Sequence, residues 1–266
     1  EIAQCLVGSE MCIRDRHKRM NKKSFVAFIT CGDPDIETTK EIIRALYHGG
    51  VDMIELGIPF SDPTAEGPVI QAANYRALSG GITTDKIFDM VREIRSEIDI
   101  PLLFMTYANV IYSYGTDRFM QTAAEIGMNG IILPEVPYEE KNEFAIPAEA
   151  NGLDYISLIA PTSENRISMI AKEAKGFVYC VSSLGVTGTR SSITTDISAM
   201  TELVRSVTDI PVFIGFGIST PEQAHKIALS SDGVIIGSAI MKLVEKYGRQ
   251  CVPYIYEFAK SIKEAL

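Results

Sequence analysis

Two acids, Glu55 and Glu66, stand in the stretch "IELGIPFSDPTAEGP" (54–68), among glycine and proline residues and just after an aliphatic approach that begins at Val51. A lone acid closing an apolar run is costly to bury unless it is paired or used. Apolar surroundings disfavour its charged form and raise its pKa, which makes Glu55 a proton donor and acceptor usable near neutrality. Glu66 lies too far along for one helix face, at a spacing that suits a loop folded back over a pocket. Two carboxylates in differently wet surroundings can divide acid and base roles between them. The plainer role for Glu66 is to cap a helix starting near Pro68.

A second group of residues points to an anion. "IGFGIST" (214–220) and "IIGSAI" (235–240) leave the backbone N–H groups of Gly215, Gly217, Gly237 and Ser238 uncovered. Each cluster precedes a predicted helix, whose N-terminus favours negative charge. The segment "SSLGVTGTRSSITTD" (182–196) is a long connection rich in hydroxyls, read as a lid, with Gly188 offering one more N–H to the same phosphate. Tyr107 and Asn109 after the third apolar run, and Tyr179 in the sixth, add an aromatic face and hydrogen-bonding groups. Phe28, Met105, Tyr107, Ile159 and Phe216 together are read as a flat apolar slot for a planar ring.

These residues need a frame that brings strand ends to one rim. From Phe25 onward, short aliphatic runs alternate with amphipathic stretches. The predicted strands are Val26–Thr30, Met53–Gly57, Leu102–Tyr107, Gly130–Leu133, Tyr155–Leu158, Phe177–Val181, Val212–Gly215 and Val234–Gly237. They lack polar alternation, as parallel strands covered on both faces do. Helical spacing is clear over Thr38–His48, Asp85–Glu97 and Asp196–Val207. About eight strand–helix units in a chain of this length predict an α/β fold, a single (β/α)8 TIM barrel with phosphate-binding loops after strands seven and eight. The turn after the first strand, "TCGDPD", has one glycine, so it carries no dinucleotide fingerprint.

Bulk composition narrows the partners. The chain has 266 residues, 46% of them hydrophobic, with a formal charge of −9. That acidity argues against nucleic acid, whose phosphates need a basic face. No apolar run is long enough to span a bilayer. The cysteines are odd in number and scattered without a CxxC pair, which suits reduced thiols in the cytoplasm. His17, His48 and His225 lie near no cysteine pair, so no zinc site is expected. Residues 1–19, "EIAQCLVGSEMCIRDRHKR", follow no helical or strand period and are read as an atypical leader, disordered or non-native, ahead of a barrel domain over 20–266.

The motif around Glu55 and Glu66 resembles the signature of the tryptophan synthase α subunit family. The similarity extends through "FVAFITCGDPD", "MTYANVIYSYG", "GIILPEVPYEE", "YCVSSLGVTGTR" and "PVFIGFGIST" to "GVIIGSAI". The resemblance implies a barrel lyase of L-tryptophan biosynthesis that splits indole-3-glycerol phosphate into indole and glyceraldehyde 3-phosphate. It implies no cofactor on this chain, with pyridoxal phosphate only on a β-subunit partner in an α2β2 heterotetramer. Glu55 falls on the family's acid/base. Glu66 falls on its second carboxylate, usually aspartate, which polarises the indole N–H. Phe28, Tyr107 and Tyr179 fall beside the substrate, Thr187 and Gly188 on the lid and phosphate loop, and Gly217, Gly237 and Ser238 on the phosphate seat. Pro59–Pro63 and Tyr107–Gly115 are the implied β-facing surface. Two other readings stay open: a non-catalytic subunit that activates a β partner, or another phosphate-binding barrel isomerase.

Overall fold

The computed structural model describes residues 23–181, 197–215 and 217–266. The strands are β1 (Ser24–Thr30), β2 (Met53–Gly57), β3 (Leu102–Met105), β4 (Gly130–Ile132), β5 (Asp154–Tyr155), β6 (Leu158–Ile159), β7 (Val178–Val181), β8 (Val212–Gly215) and β9 (Gly233–Ile236). They lie in the order β5-β4-β3-β2-β1-β9-β8-β7-β6, and every pairing is parallel.

The two ends of that order are consecutive pieces of one run. Between β5 and β6, the N–H of Ile156 donates to Ile131 O at 3.0 Å, and Ser157 O accepts from Tyr179 N–H at 3.1 Å. The sheet therefore closes on itself, and the eight expected strands form an eight-membered barrel whose fifth strand is broken in the middle. The fifth strand was expected to run unbroken over Tyr155–Leu158. Instead its halves turn to different neighbours, β5 to β4 and β6 to β7.

The helices follow from caps and apolar spacing. Helix α1 (Ile36–His48) starts earlier than the apolar repeat suggested, because Asp35 accepts the Thr38 N–H at 2.8 Å. After it come α2 (Pro68–Ser79) and α3 (Thr84–Ile94). Helix α3 turns Ile87, Phe88, Met90, Val91 and Ile94 inward and stops short of the expected Glu97. Arg95 there folds back to the carbonyls of Ile98 and Ile100, at 3.2 and 2.6 Å. The remaining helices are α4 (Ala108–Tyr114), α5 (Thr116–Glu125), α6 (Asn142–Ala150), α7 (Glu164–Lys172), α8 (Ile197–Arg205), α9 (Pro221–Ala228), α10 (Ser238–Tyr247) and α11 (Val252–Ala265). Strand β3 ends two residues before the expected Tyr107, because Tyr107 is the N-cap of α4. No described helix is long and apolar enough to cross a membrane.

Register decides which side chains face the barrel interior. Leu56 pairs with Phe104, and Phe104 packs on Phe88 of α3 with ring centroids 5.5 Å apart, so that row faces the helices. The alternate row, Phe28 beside Glu55 beside Leu103, therefore faces inward. Gly57 and Met105 form the next inward step toward the C-terminal ends of the strands.

Candidate active site

Glu55 sits on the inward row of β2 with no solvent exposure. Neither of its carboxylate oxygens has a hydrogen-bond partner among the described residues. Burial disfavours the charged form and pushes its pKa up from 4.5 to about 8. The carboxyl is thus a neutral acid at neutral pH, held by packing rather than by bonds.

Glu66 is buried too, but it is held. The Tyr107 hydroxyl donates to Glu66 Oε2 at 2.8 Å and accepts the Ala65 N–H at 3.0 Å. Gln71 Nε2 donates to the Glu66 backbone carbonyl at 2.8 Å. Burial raises the Glu66 carboxyl, the Tyr107 bond pulls it down and the Glu135 charge raises it again, so that it is pushed up from 4.5 to about 7 in all. Helix α2 begins with Gly67 at its N-cap and no side-chain cap bond, so the Glu66 side chain is turned to the pocket rather than to the helix.

The rings expected at the substrate occupy definite gaps left by glycines. A Cβ at Gly57 would lie 2.7 Å from Phe28 Cζ, and one at Gly237 would lie 2.9 Å from Phe28 Cδ1. A Cβ at Gly215 would lie 2.7 Å from the Tyr179 hydroxyl. The missing side chain of Gly215 is therefore accounted for by the Tyr179 ring, within strand β8. Burial, and then the charge of Glu55, raises the Tyr179 pKa, which places this phenol within electrostatic reach of the buried acid.

Two cavities open beside these groups and share Glu66 and Met105. The smaller, about 40 Å³, is lined by Phe28, Tyr179, Gly217, Gly237 and Ser238 among others. The larger, about 400 Å³, lies over the ends of β4 to β7 and is walled by Leu133, Pro134, Ile156, Leu158 and Val181. That volume falls in the range of small-molecule sites. Glu55 lines neither cavity; it lies behind the wall, next to Phe28 in register. The apolar slot is thus built differently from the sequence expectation. Of its four expected members among the described residues, Met105 alone lines the larger cavity. Phe28 belongs to the smaller one, Tyr107 stands behind Glu66, and Ile159 lines neither cavity and is fully buried. Asn109 is exposed.

The two helix starts expected to favour an anion differ. The sequence predicts uncovered N–H groups ahead of the helices after both β8 and β9. In the structure Thr220 caps α9, accepting the Gln223 N–H at 3.3 Å. Only α10 starts without a side-chain cap, at Gly237, with Ser238 as its first residue. Gly237 and Ser238 at that start, and Gly217, whose φ of +86° suits glycine, line the smaller cavity. Thr187, Gly188 and Phe216, with the rest of the expected lid, lie outside the described residues.

This pairing of buried acids with a helix-end seat can be set beside known proteins. A profile of the family described as tryptophan synthase alpha chain matches residues 15–266. The chain belongs to that family. The tryptophan synthase alpha chain of Lacticaseibacillus casei is 47% identical over 246 residues, covering 92% of each chain. That of Caldanaerobacter subterraneus subsp. tengcongensis is 45% identical over 254 residues, covering 95% of this chain and 97% of the other. Among solved structures, the tryptophan synthase alpha chain of Legionella pneumophila aligns over 97% of both chains, with a TM-score of 0.87 and 34% identity. A chain of Mycobacterium tuberculosis tryptophan synthase aligns over 97% of this chain and 98% of its own, with a TM-score of 0.88 and 30% identity.

Four residues around this candidate site of the tryptophan synthase alpha chain family are not singled out by the sequence reading. Gln71 is one turn into α2, and its amide holds the Glu66 backbone. Leu133 and Pro134 wall the ring-sized cavity, and their only sequence signal was their place at the end of the fourth aliphatic run. Glu135 brings a third carboxylate to the group. Burial raises its pKa, while the Ala108 N–H it accepts at 2.6 Å lowers it.

Proposed function

We propose that this chain is a lyase acting as the α subunit of tryptophan synthase, and that Glu55 and Glu66 divide the acid–base work of splitting indole-3-glycerol phosphate. The observation that carries this reading is the position of Glu66, shared by an apolar cavity of ring size and a small cavity at the open start of α10. A ligand with a planar ring at one end and a phosphate at the other spans the two and lays its connecting bonds beside the acids. Phe28 and Tyr179 flank the short polyol, Gly217, Gly237 and Ser238 seat the phosphate, and Thr187, Gly188, Gly215 and Phe216 complete that end.

The proton affinities fit the order of events. Indole is a poor leaving carbanion, so its C3 must gain a proton before the bond to the side chain opens. Glu55, neutral up to about pH 8, is the donor. Its carboxyl is held by packing and not by hydrogen bonds, so its approach to the ring takes a change of its side-chain torsions. Protonation at C3 leaves a cation delocalised onto the ring nitrogen. Glu66, titrating near 7 and steadied by Tyr107, is the carboxylate that stabilises it through the N–H. The Glu55 carboxylate then takes the hydroxyl proton as the carbon–carbon bond breaks, giving indole and an aldehyde and restoring the acid. The chemistry is acid–base alone, and pyridoxal phosphate belongs to a β-subunit partner in an α2β2 assembly. The loop at Pro59–Pro63, with Ser61 and Asp62 exposed, is the surface proposed to meet it, and Phe60 there packs at a tilt against Tyr107 with centroids 5.1 Å apart. The reaction is placed in the cytoplasm, whose reducing conditions keep the buried free thiols Cys31, Cys180 and Cys251 intact. The barrel domain is taken as 20–266, with 1–19 outside it.

The test is indole release from indole-3-glycerol phosphate by the purified chain, wild type against Glu55→Gln. Release that is undiminished in Glu55→Gln rules out Glu55 as the acid and leaves a role in activating the β partner.

A further inference from the structure

Glu135 stands in the connection after β4 and has no part in the reaction just described. Its Oε1 accepts the N–H of Ala108 at 2.6 Å, so a side chain from one loop closes the start of a helix in another. That helix, α4, has Tyr107 as its N-cap, and Tyr107 offers it no side-chain bond. The same Tyr107 holds the Glu66 carboxylate and the Ala65 N–H through its hydroxyl. A continuous chain of bonds therefore runs from the end of β4, through the first residues of α4, to the loop after β2. Glu135 Oε2 is buried and without a hydrogen-bond partner among the described residues. Capping alone calls for one oxygen; leaving the second dry and unbonded costs free energy that a capping role does not explain.

We propose that Glu135 is a positioning residue for the cleavage, fixing Glu66 in place through Tyr107 and opposing negative charge on it. The inference rests on Glu66 having the role given above. The titratable groups around Glu66 are Tyr107 at the start of α4, Glu135 after β4 and, on the far side of Glu135, Tyr155 of β5; Glu55 lies behind on β2. The charge of Glu135 acts on Glu66, Tyr107 and Tyr155 alike, raising the pKa of each. Lys141 and Arg166 line the far wall of the larger cavity, where they are engaged by Glu173 at 2.7 Å and Glu139 at 2.6 Å. The carboxylate whose charge acts on Glu66 is thus bonded to the backbone next to the tyrosine that holds it.

Two substitutions separate the two parts of the proposal. Glu135→Ala removes both the acceptor for Ala108 N–H and the charge, and kcat for indole release is expected to fall about tenfold with little change in KM, the scale of losing one charge-assisted hydrogen bond in a positioning chain. Adding Tyr107→Phe to Glu135→Ala is expected to cost little more, because both changes cut the same link. Glu135→Gln restores an acceptor without charge. It is expected to recover most of what Glu135→Ala loses and to move the Glu66 titration, followed by ¹³C NMR of its carboxyl, to lower pH. The limb of the pH–rate profile belonging to Glu66 is expected to move with it. A wild-type kcat in Glu135→Ala, strict additivity with Tyr107→Phe, or a Glu66 titration unmoved in Glu135→Gln overturns the proposal. If the wild-type chain releases no indole, the functional reading fails instead, while the titration still decides whether Glu135 governs Glu66.

Discussion

Partly buried acceptors where the strands begin and Glu55 and Glu135 where they finish are held in different ways. At the end where strands begin, acceptors sit just ahead of a strand and reach across to its neighbour. Asp52 accepts the Phe25 N–H at 2.7 Å and Lys263 at 2.6 Å. Asn129 accepts the Leu102 N–H at 3.0 Å, and Asp232 accepts the Val212 N–H at 2.9 Å and Arg205 at 2.8 Å. These side chains tie β1, β3 and β8 to the start of the next unit, and every one is satisfied. At the end where strands finish, Glu55 has no partner for either oxygen, and Glu135 lacks one for its second. A carboxyl left dry and unbonded is costly to keep, and the proposed reaction gives Glu55 a use for that state.

Glu55→Gln is the harshest way to break the comparison. The amide keeps the shape and cannot donate and recover a proton, so kcat/KM for indole release is expected to fall by about 10³-fold, the usual scale for a general acid–base group. Melting temperature at pH 8 is expected to hold or rise, since no ionisable group is left buried. A drop in stability with retained activity would assign Glu55 to the satisfied class.

The pH dependence of stability carries the same contrast. Glu55 has its folded pKa raised from 4.5 to about 8, and Glu66 from 4.5 to about 7. A raised acid binds its proton more tightly when folded, so its contribution is complete below 4.5 and is lost as pH climbs through the folded value. The expected loss for Glu55 is on the order of 3 kcal/mol between pH 5 and 8.5. Urea unfolding of wild type and Glu55→Gln at both ends of that window checks it. The wild type is expected to weaken toward alkaline pH much more than the variant, and parallel behaviour would show that Glu55 is not buried as described.

At the opposite end, Asp232→Ala removes acceptors from the Val212 N–H and Arg205. Leaving a largely buried donor unpaired costs about 2 kcal/mol, so Tm is expected to fall while kcat for indole release stays at the wild-type value. A loss of kcat without loss of stability would blur the division between the two ends.

How much of this was legible in sequence follows from the same physics. Parallel strands buried on both faces read as aliphatic runs, so the barrel and most strand positions could be seen in Val26–Thr30, Met53–Gly57 and Val212–Gly215. The broken fifth strand could not, because its halves differ only in which neighbour they bond. Helix α1 began at its cap rather than at its first apolar repeat, since Asp35 sets the start. Glu55 stood out as one acid closing an apolar run. Glu135, in "ILPEVP", gave no such signal: its importance lies in reaching Ala108, a residue distant in sequence. The glycines are visible in the sequence, but which of them line the smaller cavity is not. Gly215 makes room for Tyr179, and the capped α9 leaves α10 as the open helix end after β8 and β9.

The mildest change tests the point where the functional end does contain bonds. Tyr107 links Glu66 to the Ala65 backbone through one hydroxyl, donating to the first and accepting from the second. Tyr107→Phe keeps the ring, including its tilted contact with Phe60, and removes both bonds. The Ala65 N–H then loses its acceptor and the Glu66 carboxylate its only side-chain donor among the described residues. Because that bond lowers the Glu66 pKa, its removal raises the value further and leaves less carboxylate at neutral pH. Indole release at pH 7 is therefore expected to fall about tenfold, the scale of one hydrogen bond to a charged group, and to recover in part at higher pH as Glu66 ionises. A uniform drop at every pH would mean that Tyr107 acts on the shape of the pocket alone. An unchanged rate would mean that Glu66 needs no holder, and the bonded exception at this end of the barrel would then be incidental.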